Sequence, residues 1–385
     1  MNFKKYFSVC RILLLAVGLW PYQQSNLIRF QFICLFSILT TSVIFQCTVF
    51  ISQKCTVDLL IKVLSYVFLF FFSIAKYYIF FFNLEVMKNM LEQLFYECNK
   101  LKDANEITII EKYGSNGKWT TVIIILFILS ILIYIVLSFW SDIFNVILST
   151  NSSRHNLLIV EYFIDQEKYF YLILLHSIAS ICIALTVIMG TGTLFMIYFQ
   201  LICGMFTVAS YRIERAMSVN MLQDINLRQN ILTFKGLICA VDIHRQAMKL
   251  AKLFQSNLEI MMFLLIIFGV LSGCLNMFQI VSCRDNIREF LMSSINTSVL
   301  VIYAYLSNYC AQLATDHNHQ VFVTAYNTPW YLAPLYIQKM ILFLLQKTSK
   351  TFRINIGGIY DGSIEGFATL VKTALSYFTV IRSTQ

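Results

Sequence analysis

Charge and proline are both scarce in this sequence. Of its 385 residues only 13% are charged and 3 are proline, whereas 58% are hydrophobic. Soluble domains have about a quarter of their residues charged, so this composition excludes an ordinary water-soluble fold. With only 13 glycines as well, the chain has little room for disordered linkers. We therefore interpret it as an integral membrane protein.

Motifs of enzymes and metal sites are also missing. The 11 cysteines include no Cys-x-x-Cys pair, so neither a zinc site nor a dense disulfide framework is indicated. The sequence contains no Gly-rich phosphate loop, no nucleophile elbow and no His-Glu-x-x-His. His317 and His319 are two residues apart, but no cysteine or carboxylate cluster completes a metal site. We expect no enzyme activity, no cofactor and no metal.

Long apolar runs are abundant. Their length of about 20 residues suits helices that cross a bilayer, not the strands of about 10 residues found in barrels. Helical periodicity continues beyond the fourth and fifth runs, and an amphipathic helix is predicted over 330–347. A glycine-containing turn is predicted at 355–363. The predicted spans are 30–51, 60–83, 119–140, 168–203, 258–282, 289–312 and 363–382.

The basic residues are distributed unequally between the two sides of these spans. Of 29 Lys and Arg, twenty fall on the N-terminal side and seven on the other. The positive-inside rule therefore predicts a cytoplasmic N-terminus and an extracellular C-terminus. It also accounts for the net charge of +9 without nucleic acid. The sequon at Asn151 falls in a predicted outer loop and is a glycosylation candidate.

The first 22 residues superficially resemble a signal peptide. Arg11 interrupts the apolar run, and Trp20-Pro21 ends it without a small-residue cleavage site. We expect the segment to be retained as an interfacial helix.

Three segments together resemble the insect odorant receptors: "RILLLAVGLWPY" (11–22), "TDHNHQVFVTAYNTPWYLAPLYIQKMILFLLQK" (315–347) and "INIGGIYDGSIEGFATLVKTALSYFTVIRS" (354–383). The C-terminal match resembles a hymenopteran member. Related gustatory receptors end in Thr-Tyr, five apolar residues and Gln-Phe. Here Ser376-Tyr377 and Ser383-Thr384 take those places, which favours the odorant branch.

The resemblance implies an all-α membrane protein with seven transmembrane helices that forms a tetrameric, ligand-gated, non-selective cation channel. Its partners would be the olfactory coreceptor Orco, a hydrophobic volatile or cuticular odorant, and membrane lipid. The expected location is the plasma membrane of an olfactory neuron dendrite. One domain would comprise a cytoplasmic segment (1–29), a six-helix ligand-binding bundle with cytoplasmic extensions of helices 4–6 (30–312), a cytoplasmic anchor helix and turn (313–362), and a pore helix (363–385).

The resemblance also implies functions for residues of the last helix. Val380 takes the gate position, where an apolar ring blocks ions by dewetting. Ser383 and Thr384 lie near the outer mouth of the pore. Arg382 is about 200° around the helix from Val380, so it is expected to point toward headgroups. Lys372 either pairs at a subunit seam or extends toward an interface.

An odorant pocket is expected in the outer half of the bundle, between helices two, three, four and six. Aromatic walls there would hold a volatile by burial of apolar area. His176 is a candidate ligand contact, although an interhelical hydrogen bond explains it equally well. Lys76 is expected to extend its amine to the cytoplasmic interface. The pocket candidates are Tyr66, Phe70, Tyr134, Leu137, Tyr171, His176, Ser180, Met292, Ser293 and Asn296.

Three alternatives stay open at this stage. A gustatory-type receptor channel would work without the coreceptor. A secondary transporter would show inverted repeats and broken midplane helices, and no internal repeat is evident. A metabotropic seven-helix receptor would have the opposite orientation.

Overall fold

The computed structural model describes residues 5–23, 25–52, 54–147, 159–165, 168–218, 227–282, 287–349 and 352–383. This part of the chain is almost entirely helical, with a short 3-10 turn at Trp330–Leu332 and one hairpin of β1 (Asn355–Ile356) and β2 (Tyr360–Asp361). The helices are α1 Ser8–Ala16, α2 Asn26–Cys47, α3 Val49–Ser52, α4 Val57–Phe82, α5 Leu84–Asn99, α6 Ala104–Ile147, α7 Phe170–Ser218, α8 Leu227–Ser282, α9 Ile287–Asn327, α10 Leu335–Thr348 and α11 Ile364–Ser383.

Six of the described helices are long and apolar enough to cross a bilayer: α2 with α3, α4, α7, α8, α9 and α11. The third predicted span, 119–140, lies inside α6. The prediction of an all-α membrane protein is therefore confirmed. Helices α7 and α8 extend well beyond their predicted spans, as the periodicity of the sequence indicates, and α9 does so as the family resemblance implies. The predicted boundary at 312, between the expected bundle and the expected anchor segment, falls inside α9.

Helix α7 is the centre of the bundle. Between Val187 and Ser210 every residue is buried except Gly192, Gln200 and Thr207, which are half-buried. A helix that is apolar all round is stable only where neighbours cover every side. Helices α1, α2, α4, α6, α8 and α9 all pack against it.

The N-terminal helix α1 packs against α7. Cys10 and Leu14 are fully buried, and the Cys10 thiol donates to the Gly190 carbonyl oxygen at 3.4 Å. The approach depends on Gly190, because a Cβ there would lie 3.0 Å from the Leu14 side chain. The Tyr77 hydroxyl donates to the Val17 carbonyl at 2.8 Å and joins α4 to the end of this segment. Helix α1 is therefore part of the core.

Polar pairs join the helices at the predicted cytoplasmic end. Arg212 on α7 forms a forked ion pair with the nearly buried Glu106 on α6, at 2.6 and 2.8 Å. The buried His244 of α8 is hydrogen-bonded to Asn318 of α9 at 2.8 Å. Burial lowers the pKa of His244, because the imidazolium form loses its hydration. Segment 84–118, for which the sequence predicted no secondary structure, contains α5 and the start of α6.

The hairpin β1–β2 turns tightly before α11. Gly357 and Gly358 have φ values of +62° and +71°, the two positive angles that a type I′ turn requires. Asn355 and Arg353 both hydrogen-bond the Asp361 carboxylate, and together they lower its pKa. The Gly357 amide donates to Glu259 of α8 at 2.7 Å. These contacts fix the hairpin against the bundle.

Candidate functional site

A small cavity lies where the odorant pocket is expected. It has a volume of about 70 Å³ and lies between α4, α7 and α9, near their predicted outer ends. Four of the predicted pocket residues line it: Tyr66, Phe70, Met292 and Asn296. The amide nitrogen of Asn296 is buried and has no hydrogen-bond partner among the described residues. We call this space the outer cavity.

Three predicted pocket residues form interhelical hydrogen bonds beside the outer cavity instead of lining it. His176 is bonded to Thr41 at 3.1 Å and to Tyr162 at 2.7 Å, which agrees with the structural interpretation of this histidine. Ser180 accepts from Ser42 on α2 at 3.3 Å. Ser293 donates to Gln279 at 2.6 Å, and Gln279 in turn donates to Ser65 on α4 at 2.8 Å.

The remaining predicted pocket residues do not reach the outer cavity or are not described. Tyr171 is 57% exposed on the surface of α7 and does not line the cavity. Tyr134 and Leu137 are in α6, but their side chains lie outside the described residues, as do Asn151 and Thr384 entirely. The apolar residues that α7 and α9 add were missed, because nothing in their type sets them apart from other core residues. They are Ile181, Ala184, Leu185, Ile188, Ile295 and Val299.

A larger cavity of about 350 Å³ lies deeper in the bundle, between α6, α7, α8 and α9. We call it the inner cavity. Ile188 and Val299 line both cavities, so these two side chains form part of the wall between them. The inner cavity has the size of known ligand cavities, about 300–1,000 Å³, whereas the outer cavity does not.

Lys76 lies at this wall and is fully buried, so the prediction that its amine extends to the interface is wrong. Its Nζ donates to the Tyr303 hydroxyl and, at 3.4 Å, to the Ile188 carbonyl oxygen. It also lies 4.3 Å from the centre of the Tyr303 ring. The amine is directed into the bundle, toward Tyr303 and Ile188, and not along α4 toward the interface.

Most side chains of helix α11 are not buried in the single chain. Among its residues only Ala374 is buried. Val380 is 58% exposed, and Lys372, Arg382 and Ser383 are exposed as well. At about 100° per residue, one face of the helix carries a row that we call the hydroxyl stripe. It consists of Thr369, Thr373, Ser376, Val380 and Ser383, with Val380 as its only apolar member.

The start of α11 is held by α9. Asn308 accepts at its side-chain oxygen from the Tyr360 hydroxyl at 2.6 Å and from the Ser363 amide at 3.1 Å. Burial raises the pKa of Tyr360 to about 12, so the hydroxyl stays a donor. Ser363 caps the helix by accepting from the Gly366 amide at 2.9 Å. A side-chain network therefore couples α9 directly to the predicted pore helix.

Comparison with known sequences gives a family match over most of the chain. The sequence model of the 7tm Odorant receptor family matches residues 56–375. Odorant receptor 10 of Aedes albopictus is 25% identical over 104 residues, which cover 24% of this chain and 28% of that receptor. Odorant receptor 47a of Drosophila melanogaster is 27% identical over 92 residues, 22% of this chain and 24% of that receptor. Each pairwise match thus spans under a third of the relative.

The fold is shared with a solved structure. The olfactory receptor OR5 of the insect Machilis hrabei, in complex with eugenol, superposes with a TM-score of 0.78 over 100% of this chain and 99% of that one, at 13% identity. Another structure of the same receptor gives a TM-score of 0.73 at 15% identity, over 99% and 98% of the two chains. At such low identity the likeness concerns the fold.

Proposed function

Because this chain belongs to the 7tm odorant receptor family, we propose that it is the odorant-binding subunit of a ligand-gated, non-selective cation channel. The observation that carries the proposal is the polar face of the helix α11. The helix is long enough to span a bilayer, yet 4 of the 5 positions on its hydroxyl stripe are polar. Each of these hydroxyls donates to a carbonyl oxygen of α11 itself, and its own oxygen can accept from water, so this face suits the water-filled axis of an assembly.

Ligand binding is proposed at the outer cavity. Its walls are apolar, and the Asn296 amide supplies one polar group without a partner among the described residues. A ligand larger than a few atoms must push the helices apart, because the space is only about 70 Å³. Binding would then favour the state in which α9 has moved, and Asn308 passes that movement to α11. This is a population shift driven by a higher affinity for one state.

Replacing Asn296 with leucine is expected to leave stability unchanged or to raise it. The substitution removes a buried donor without a partner, and such a group costs about 1–3 kcal/mol. Responses to odorants that carry a hydrogen-bond acceptor should fall about tenfold in potency, whereas responses to plain hydrocarbons should not. Thermal unfolding and dose-response curves measure the two effects. Ile295→Leu, in the same cavity, is the matched control, and an equal loss for both odorant classes would contradict the prediction.

We further propose the coreceptor Orco as the partner in a heterotetramer, in the plasma membrane of an olfactory neuron dendrite. The supporting observation is that Ala374 is the only residue of α11 that is buried in the single chain. Val380 is proposed as the gate. Ser383 and Thr384 are proposed at the outer mouth, and Asn151 as a glycosylation site.

Whole-cell recording tests the proposal. Cells expressing this chain with and without Orco receive an odorant panel while G-protein signalling is blocked. A fast cation current that requires both chains is the expected result. A current from this chain alone would favour a gustatory-type channel. A response that disappears under G-protein block would overturn the channel mechanism.

A further inference from the structure

Lys76 is a fully buried lysine with no acidic partner among the described residues. Its side chain is 0% exposed, and its described hydrogen-bond partners are both neutral oxygens, those of Tyr303 and Ile188. An isolated ammonium inside a protein costs several kcal/mol unless it is paired. An ammonium group carries three donors, and these contacts use two of them. The group therefore retains the capacity to bind one more acceptor.

The surroundings of Nζ belong to the inner cavity. Tyr303, Ile188 and Phe195 all lie close to Nζ and all line this cavity. Gly192 does too, and a Cβ on it would lie 3.9 Å from Nζ, so the absence of a side chain leaves room there. The rest of the wall is almost wholly apolar. The Nζ of Lys76 thus lies directly behind the Tyr303, Ile188 and Phe195 side of a largely apolar cavity of about 350 Å³.

We propose that the inner cavity is a binding site for an aliphatic monocarboxylate, whose carboxylate pairs with Lys76 and whose hydrocarbon tail fills the chamber. The inference rests on the proposed receptor function and adds to the outer cavity a second ligand site with a ligand class of its own. Ile188 and Val299 form part of the wall between this chamber and the outer cavity.

The charge balance favours a carboxylate over other head groups. A carboxylate supplies the missing negative charge and accepts a charge-assisted hydrogen bond, which is about twice as strong as a neutral one. The Tyr303 hydroxyl, already next to Nζ, can rotate to donate to the second carboxylate oxygen. An alcohol or a hydrocarbon of equal length buries the same tail but leaves the ammonium uncompensated. Selectivity should therefore depend on the head group, and affinity on the tail.

Competition binding on the purified full-length chain tests this directly. Radiolabelled decanoate is displaced at pH 7 by unlabelled decanoate, decan-1-ol or decane. We expect saturable binding and a preference for decanoate over decan-1-ol of about tenfold or more. Lys76→Met should remove that preference, and Lys76→Arg should retain part of it. Tyr303→Phe, which keeps the ring, should reduce it.

Lys372→Met is the matched control, because it removes the same charge from the exposed surface of α11 and should not alter the preference. Size-exclusion profiles verify that each variant folds. If Lys76→Met fails to fold, the proposal is still tested by the preference of the wild type for decanoate and by the reduction of that preference in Tyr303→Phe. Equal binding of decanoate and decan-1-ol, no saturable binding, or a preference that survives Lys76→Met would overturn the proposal.

Binding and gating are separated by the design. Decanoate binding without any current, with or without Orco, would support the carboxylate site and count against the channel. Odorant-evoked currents in a chain that does not bind decanoate would support the channel and count against the carboxylate site.

Discussion

Gly366→Ala is expected to reduce odorant-evoked current at least about tenfold. The Cβ of alanine would overlap the Asp361 backbone carbonyl oxygen and would lie 3.0 Å from the Tyr360 hydroxyl. Backbone cannot move aside as a flexible side chain can. Overpacking of this kind costs about 1–3 kcal/mol, and 1.4 kcal/mol already changes an equilibrium tenfold.

The substitution should also impair channel opening, because Gly366 lies at the junction between the hairpin and the predicted pore helix. The Tyr360 hydroxyl that the new methyl group would crowd is the one bonded to Asn308. Relief of the overlap must shift either the hairpin or the start of α11. Both shifts weaken the path from α9 to the pore. Peak current per surface-expressed receptor should fall at least about tenfold relative to the wild type.

Peak current together with surface biotinylation measures this effect. Gly273→Ala in α8 is the control, since a Cβ there meets no atom within 4 Å. Alanine in a helix interior is about 0.5–1 kcal/mol better than glycine, so this variant should be as stable as the wild type or more stable. Wild-type currents from Gly366→Ala would show that the junction is not rigid.

The helices were predictable because the apolar runs are long and their periodicity continues past the membrane. The extensions of α7 and α8 follow from apolar residues three and four apart. The start of α11 at Ile364 follows from the glycine turn before it. Helix α5 was missed because Leu84–Asn99 is too polar to register as a span and directly follows one.

The cavities were less predictable because residue type does not say which side of a helix a residue faces. His176 and Ser180 are polar residues of the outer α7, as a binding residue would be, yet they are directed to α2. Asn296 is equally polar and faces the outer cavity. What separates them is helix rotation, which depends on packing against all neighbours at once. The prediction for Lys76 was wrong for a related reason: the direction of its side chain depends on how α4 is rotated in the bundle.

Val380→Thr is expected to raise the current that flows without odorant. Val380 is the apolar interruption of the hydroxyl stripe, so an apolar ring there would repel water when the pore is closed. Threonine has nearly the same shape as valine but carries a hydroxyl, which lets water and ions wet the constriction. The closed state loses its barrier while the packing stays the same. Basal current should rise several-fold, roughly in proportion to the number of substituted subunits.

Leu375→Thr separates a gate from a general loss of apolar surface. Leu375 is 44% exposed on the same helix, but it lies about 120° around the axis from the stripe. Its replacement should leave the basal current at the wild-type level. Holding current is measured before and after external cations are replaced with a large organic cation, so that seal leakage is subtracted. Because a wetted pore shifts the equilibrium toward conduction, Val380→Thr should also lower the odorant concentration for half-maximal response. An equal rise in basal current for both variants would mean that Val380 is ordinary packing, and the constriction would have to be sought elsewhere on α11.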